Sequence, residues 1–205
     1  MSICLSASSY HLAARKSVKS FPFISFFMDS INQQQPEQNH QDLQATDAIK
    51  KMQELADKAK TCFFSTRLRS QEVPATRPMA VQQVDDRGHF WFLSANDSQK
   101  NQEIQQDPSV QLLFQGSAQS DFLSIVGTAT ISTDKAKIKE LWNPILKAWF
   151  TEGEDDPRLT AVEVAPQEGY YWDNKHGNAV ANVKIVIGAL IGQTLDDSIE
   201  GTLQP

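Results

Sequence analysis

Three side chains that lie close together along the chain carry the chemistry this sequence offers most plainly: Arg77, Ser98 and Lys100. An arginine provides a planar fork of donors, a lysine a point charge and a serine a hydroxyl, and the start of a helix adds free backbone N–H groups. Together these suit a phosphate monoester. Taken singly, each has an ordinary use, Arg77 in a surface ion pair and Ser98 as a helix cap. Their joint placement points instead to anion binding.

The local pattern supplies elements to position them. Thr76-Arg77-Pro78-Met79 opens a strand, Asp85-Asp86-Arg87-Gly88 turns the chain, and His89-Phe90-Trp91-Phe92-Leu93-Ser94 runs back before Asn96-Asp97-Ser98-Gln99-Lys100 leads into a helix. Residues 75–84 and 88–94 are thus expected to form a hairpin across the acidic turn. The helix over 98–106 is expected to stop at Asp107-Pro108, because proline disfavours helical backbone in the residue before it.

Around this region, Thr46 or Asp47 is expected to cap a helix whose apolar positions Ile49, Met52, Leu55, Ala56 and Ala59 share one face. Residues 61–66, 110–115 and 122–132 read as strands. A helix over 134–150 carries Ile138, Leu141, Trp142, Ile145, Leu146 and Trp149 on one stripe, and Pro144 is expected to kink or divide it near Asn143. Residues 159–164, 169–173 and 183–190 supply the last strands. Many short strands with few helices predict a mainly β fold, a closed or partly closed antiparallel barrel with helices packed outside.

Composition sets further bounds. The chain has 205 residues and a formal net charge of -6, enough length for one domain and no general field for nucleic acid or an anionic membrane. An anion therefore needs a local basic pocket. No apolar run is long enough to span a bilayer, so a soluble protein is expected. Cys4 and Cys62 are far apart and neither forms a CxxC pair, which fits a reducing compartment such as the cytoplasm. His89 and His176 stand alone in sequence, and no metal site is expected.

Residues 1–27 hold no acid and several serines and basic residues, the composition of a transit peptide. Met28 offers a second reading, preferred here, in which translation starts there. Organelle targeting follows only if the leader is genuine. With the Gln- and Asn-rich stretch beyond it, residues 1–45 are expected to be leader and disordered polar tail, residues 46–193 the folded domain and residues 194–205 a second tail.

The strings Thr76-Arg77-Pro78-Met79, Trp91-Phe92-Leu93-Ser94, Ser98-Gln99-Lys100 with Glu103-Ile104, and Asp107-Pro108 resemble the FMN-binding split barrels related to pyridoxamine phosphate oxidase. Leu141-Trp142-Asn143-Pro144, followed by Lys147-Ala148-Trp149-Phe150, resembles their bacterial general stress protein branch. The resemblance covers residues 47–173. It implies a split β-barrel of Greek-key type that pairs as a homodimer with FMN at the subunit interface. By the same resemblance, Arg77, Ser98 and Lys100 hold the FMN phosphate. The strand Phe92, Leu93 and Ser94 lies along the isoalloxazine ring with Pro78 and Met79 nearby, and Trp149 and Phe150 cover the flavin from the partner. For Trp149, core packing or dimer contact is an equal reading.

Two departures from the oxidase pattern qualify the substrate. Beyond Pro166 the only basic side chains are Lys175, His176 and Lys184, so a second phosphate site for a vitamin substrate is not expected. Gln99 stands where the oxidase motif generally has a basic residue, giving up a charge-assisted hydrogen bond of about 1.5 to 3 kcal/mol and predicting weaker, exchangeable FMN. The chain also lacks GxGxxG after a strand, a P-loop, GxSxG and HExxH. The functional expectation is a flavin-dependent oxidoreductase acting on an unidentified small molecule, with no catalytic side chain named, because the chemistry belongs to the flavin. The alternatives are a non-catalytic flavin binder or sensor, or a flavin-free barrel serving as an interaction module.

Overall fold

The computed structural model describes residues 39–68, 73–118, 120–176 and 197–205. Leader residues 1–38 and the strand expected over 183–190 lie outside them. Among the described residues, nine strands and three α-helices follow the order β1 (Leu43–Gln44), α1 (Ala45–Ala59), β2 (Thr61–Thr66), β3 (Ala75–Ala80), β4 (Gln83–Val84), β5 (Phe90–Ala95), α2 (Gln99–Gln106), β6 (Ser109–Gln115), β7 (Phe122–Ser132), α3 (Lys135–Leu141), β8 (Leu159–Asn174) and β9 (Ser198–Gln204). No helix among them is long and apolar enough to cross a membrane.

The sheet runs β1-β9-β8-β7-β6-β2-β3, with β5 added to β8 and β4 to β5. The expectation of a mainly β protein with outer helices holds. Three local expectations do not. First, β3 pairs with β2 along its whole length, and only Gln83 and Val84 of the following segment pair with β5. The predicted hairpin is therefore reduced to a short ladder closed by the acidic turn. Gly88 is at φ 79 there, a backbone conformation that side chains beyond glycine seldom adopt.

Second, residues 159–174 form one strand rather than two. Its first half pairs with β5, its second half with β9, and β7 follows it throughout, with a register shift between Val126 and Gly127. Gly127 sits at that irregularity because a Cβ there would lie 2.4 Å from the Ala165 carbonyl oxygen. One strand shared between two ladders in this way turns the sheet back on itself.

Third, the segment expected as a C-terminal tail holds β9, which pairs antiparallel with β8 and parallel with β1. These residues are ordered because the backbone of β9 pairs on both sides and Leu203 is buried in the core, a gain that hydrophobic patterning does not reveal.

The alternation within strands builds the core. Phe64, Phe90, Phe92, Leu112, Ile125, Val162 and Tyr171 face one interior, roofed by Ala48, Met52 and Leu55 of α1. Phe64 and Phe92 meet edge to face at 5.3 Å, a geometry that adds about 0.5–1.5 kcal/mol beyond burial. On the other side of β5, Trp91 and Leu93 pack with Ile138, Leu141, Phe150, Leu159 and Ala161 in a second cluster. The unbroken apolar run of β5 thus reflects a strand covered on both faces. α1 carries its predicted face inward, but Gln44 precedes it without a side-chain cap, so neither Thr46 nor Asp47 serves as one.

Pro144 divides the predicted long helix. α3 ends at Leu141, and a 3-10 turn spans Pro144–Ala148 with the Asn143 side chain accepting from Ile145 N–H. The division breaks the expected stripe. Leu141 is buried and Trp142 and Leu146 partly so, whereas Ile145 and Trp149 are exposed.

Candidate functional site

The strands and α2 bring Arg77, Met79, Ser94, Ser98 and Lys100 together. α2 begins where predicted: Ser98 is the N-cap and its hydroxyl accepts from Asn101 N–H. That same hydroxyl lies 3.1 Å from the Ser94 hydroxyl at the end of β5. Lys100, two residues into the helix, turns inward, donating to the Ser94 hydroxyl at 2.6 Å and approaching the Met79 sulfur at 3.6 Å. Its side chain is only 6% exposed.

Arg77 reaches the same region from β3. Its Nη2 donates to Glu103 Oε2 at 2.7 Å and its Nη1 to Thr66 Oγ1 at 3.2 Å. Thr66 in turn donates to Glu103 Oε2 at 2.6 Å. Arg77 is therefore in an ion pair, and Ser98 is a helix cap; each ordinary use coexists with a place in the cluster. Glu103 is 4% exposed, and its other oxygen, Oε1, has no hydrogen-bond partner among the described residues.

The electrostatics follow from this arrangement. Burial, with repulsion from Arg77 added to it, pushes the Lys100 amine down to about 8. Lys100 has no carboxylate partner among the described residues, so a buried ammonium faces a hydroxyl, a thioether and a second cation. Burial tends to raise the Glu103 carboxyl, but hydrogen bonds from Thr66 and Arg77 outweigh it and hold the group below its ordinary value. Such a set of cations and hydroxyls at a helix start is suited to a small anion.

The remaining predicted residues separate. Phe92 is fully buried among the core rings and Leu93 lies in the second cluster, so their side chains are committed to packing. Their backbone is another matter. β5 pairs with β8 along its full length but with β4 only at Phe90 and Trp91, which leaves residues 92–94 without a strand partner on the second edge among the described residues. Pro78 is exposed on the outer face, directly opposite Phe63. Trp149 is 65% exposed, while Phe150 is buried beneath the Arg158 guanidinium, 5.7 Å from its ring centroid.

Sequence reasoning missed the supporting residues. The Thr160 hydroxyl donates to the Ser94 carbonyl at 2.9 Å and accepts from Asn101 Nδ2 at 2.9 Å, tying β5, β8 and α2 beneath the site. Thr66 and Glu103 hold Arg77. Their polar character at inward positions of β2 and α2 was the available signal, since buried polar groups are retained only with partners. His89 also acquires neighbours: its Nδ1 lies 2.7 Å from Glu163, and ligand atoms of Asp85, His89 and Glu163 fall within 4.8 Å of one another. Arg87 donates to both carboxylates, at 3.0 and 2.9 Å, and supplies the positive charge there. A cavity of about 230 Å³ between α1 and β4, lined by residues including Gln53, Lys60 and Gln83, shares no residue with the Lys100 cluster.

Residues 47–196 match the family described as pyridoxamine 5'-phosphate oxidase like, and the chain belongs to it. Protein bli-3 of Neurospora crassa is 30% identical over 105 residues, 47% of this chain and 50% of that protein. The chain spans about half the length of the curated relatives it matches. Among solved structures, a general stress protein 26 of Jannaschia sp. CCS1 matches over 78% of this chain and 100% of its own, with a TM-score of 0.66 and 21% identity, a likeness of fold. The general stress FMN/FAD binding protein of Xanthomonas citri is 27% identical, with a TM-score of 0.51 over 60% of this chain and 84% of its own. The fold is thus the split barrel of this family.

Proposed function

We propose that this chain holds FMN at the interface of a homodimer and serves as a flavin-dependent oxidoreductase of the general stress type, acting on an unidentified small molecule. One observation carries the reading: Lys100 is a buried ammonium repelled by Arg77, with one hydroxyl and one thioether but no carboxylate bound to it among the described residues. A phosphate placed against Lys100, Arg77 and Ser98 offsets both the burial of the amine and the repulsion between the two cations. The likeness to the general stress FMN/FAD binding protein of Xanthomonas citri, 27% identical, supports a flavin as the group that carries the phosphate.

Flavin bound here supplies the electron and hydride transfer. The chain's residues bind and orient. Arg77 and Lys100 neutralise the phosphate, Ser98 and Ser94 offer hydroxyls, and the edge at Phe92, Leu93 and Ser94, unpaired among the described residues, offers backbone groups to the ring, with Pro78 and Met79 alongside. Trp149 is the exposed ring available to cover a flavin in a second copy. Phe150 is buried in its own chain, which leaves the covering role to Trp149.

The dimer reading rests on a second observation. Phe63 and Leu113 are directly opposite in the β2–β6 ladder and are 56% and 40% exposed. With exposed Pro78 on the next strand they form an apolar ribbon on the outer face, beside the strand that carries Arg77. A second copy covering this ribbon removes it from water. The buried, free Cys62 thiol is compatible with work in the reducing cytoplasm.

The test is the visible spectrum of the purified protein and its titration with FMN and riboflavin. Saturable FMN binding, with riboflavin weaker by about tenfold or more on the affinity scale, supports the reading. A colourless protein with no saturable titration overturns it. Anaerobic mixing with NADH or NADPH then separates a reductase, whose flavin bleaches, from a passive binder, whose flavin does not.

A further inference from the structure

Glu103 lies three residues beyond Lys100 on the same helix, buried, and clasps Arg77 from the protein side. Thr66 closes the clasp by donating to the same carboxylate oxygen and accepting from Arg77. The second oxygen, Oε1, makes no hydrogen bond among the described residues, and Arg67 Nη1 lies 3.9 Å from it. A buried carboxylate left half satisfied is retained at a cost, and here it is bound to one of the two cations of the candidate anion site.

We propose that Glu103 is a positioning residue and internal counter-ion: it aims Arg77 at the site while competing with the phosphate for it, so that the cofactor is held loosely enough to exchange. The inference rests on the reading of Arg77 and Lys100 as phosphate cations. Arg77, Lys100 and the more distant Arg67 against one carboxylate leave the cluster with a net charge of about +2, facing a phosphate monoester of roughly −1.5 to −2. The guanidinium offered to the phosphate already donates to an anion through Nη2 and to the Thr66 hydroxyl through Nη1. Removing that anion's charge while keeping its shape strengthens the field on the phosphate and touches nothing that a flavin ring would contact.

The experiment is equilibrium titration of wild type, Glu103→Gln and Glu103→Asp with FMN and with riboflavin, at two salt concentrations. Glu103→Gln keeps an oxygen for Arg77 and Thr66 and loses the charge. It is expected to bind FMN about three- to tenfold more tightly, with riboflavin unchanged and a steeper loss of FMN affinity with salt. Glu103→Asp keeps the charge and is expected to show no gain. An FMN-to-riboflavin ratio in Glu103→Gln that stays within about twofold of wild type, or falls, overturns the proposal and leaves Glu103 a structural clasp. Wild type that does not prefer FMN to riboflavin overturns the underlying phosphate reading instead. Should Glu103→Gln not fold, Glu103→Met, of similar length and neutral, is judged by the same criterion.

Discussion

The Lys100 ammonium lies 2.6 Å from the Ser94 hydroxyl, buried at the start of α2 and close enough to Arg77 for the two cations to repel. A cation so placed is charged reluctantly. Its amine is pushed down to about 8, by burial first and by Arg77 second. Binding a phosphate favours the protonated form, so the amine is more basic in the complex than in the free protein. Below pH 8 both states carry the proton and Lys100 adds no pH dependence. Above pH 8 the free protein loses its proton first, and binding must restore it. FMN affinity is therefore expected to fall by up to about tenfold per pH unit above 8, while riboflavin affinity stays level. Titrations from pH 7 to 9.5 check this, and a flat FMN profile removes Lys100 from the phosphate site.

Arg77 and Lys100 differ in what their loss does to the fold. Lys100→Met removes a buried, uncompensated cation, so the melting temperature is expected to hold or rise while FMN affinity drops about ten- to a hundredfold. Arg77→Ala leaves the buried Glu103 carboxylate with Thr66 as its remaining close donor. Both FMN affinity and melting temperature are expected to fall. Thermal melts with and without FMN separate the two variants. Either variant keeping FMN affinity within about twofold of wild type rules that residue out as a phosphate ligand.

What was legible in the sequence was what depends on nearest neighbours in the chain. The cap at Ser98, the stop at Asp107-Pro108, the break at Pro144 and the acidic turn at Gly88 are local steric facts, and each appears where expected. Pairing partners were not legible. Nothing in 75–80 says that its ladder runs to β2 rather than to β5, because both candidates are apolar strands of similar length. For the same reason the clasp on Arg77 was hidden, since Thr66, Arg77 and Glu103 meet only after three elements have packed.

Gly201 illustrates a packing requirement of that hidden kind. A Cβ there would lie 1.9 Å from the Gln41 carbonyl oxygen, because β1 and the residues before it run against β9 at that point. The contact is held by Gln41 N–H to the Glu200 carbonyl at 2.8 Å and by the Tyr171 hydroxyl to the Gln41 carbonyl at 2.9 Å. Gly201→Ala must push this segment away and lose those bonds, at a cost of about 1–3 kcal/mol. The expected result is a melting temperature lower by several degrees, of the order of 2–4 °C per kcal/mol, and faster proteolysis within residues 39–44. FMN affinity should be unchanged, because the site lies on other strands. An unaltered melt shows that the segment does not hold β9 as described.

The apolar ribbon of Phe63 and Leu113 links assembly to the cofactor. On a monomer, two large side chains facing each other on an exposed sheet face lower solubility and stabilise nothing. In a dimer they are the kind of centre around which an interface closes, with polar residues at its rim. Phe63→Asp places a charge in that centre without disturbing the core, since the inward neighbours Cys62 and Phe64 keep their places. Sedimentation is expected to show dimer for wild type and monomer for the variant, with the far-ultraviolet spectrum unchanged. If the flavin lies between two copies, FMN affinity falls together with the dimer and recovers as protein concentration is raised. A monomeric variant that binds FMN as wild type does places the whole cofactor site within one chain, and Trp149 then has no role in covering it.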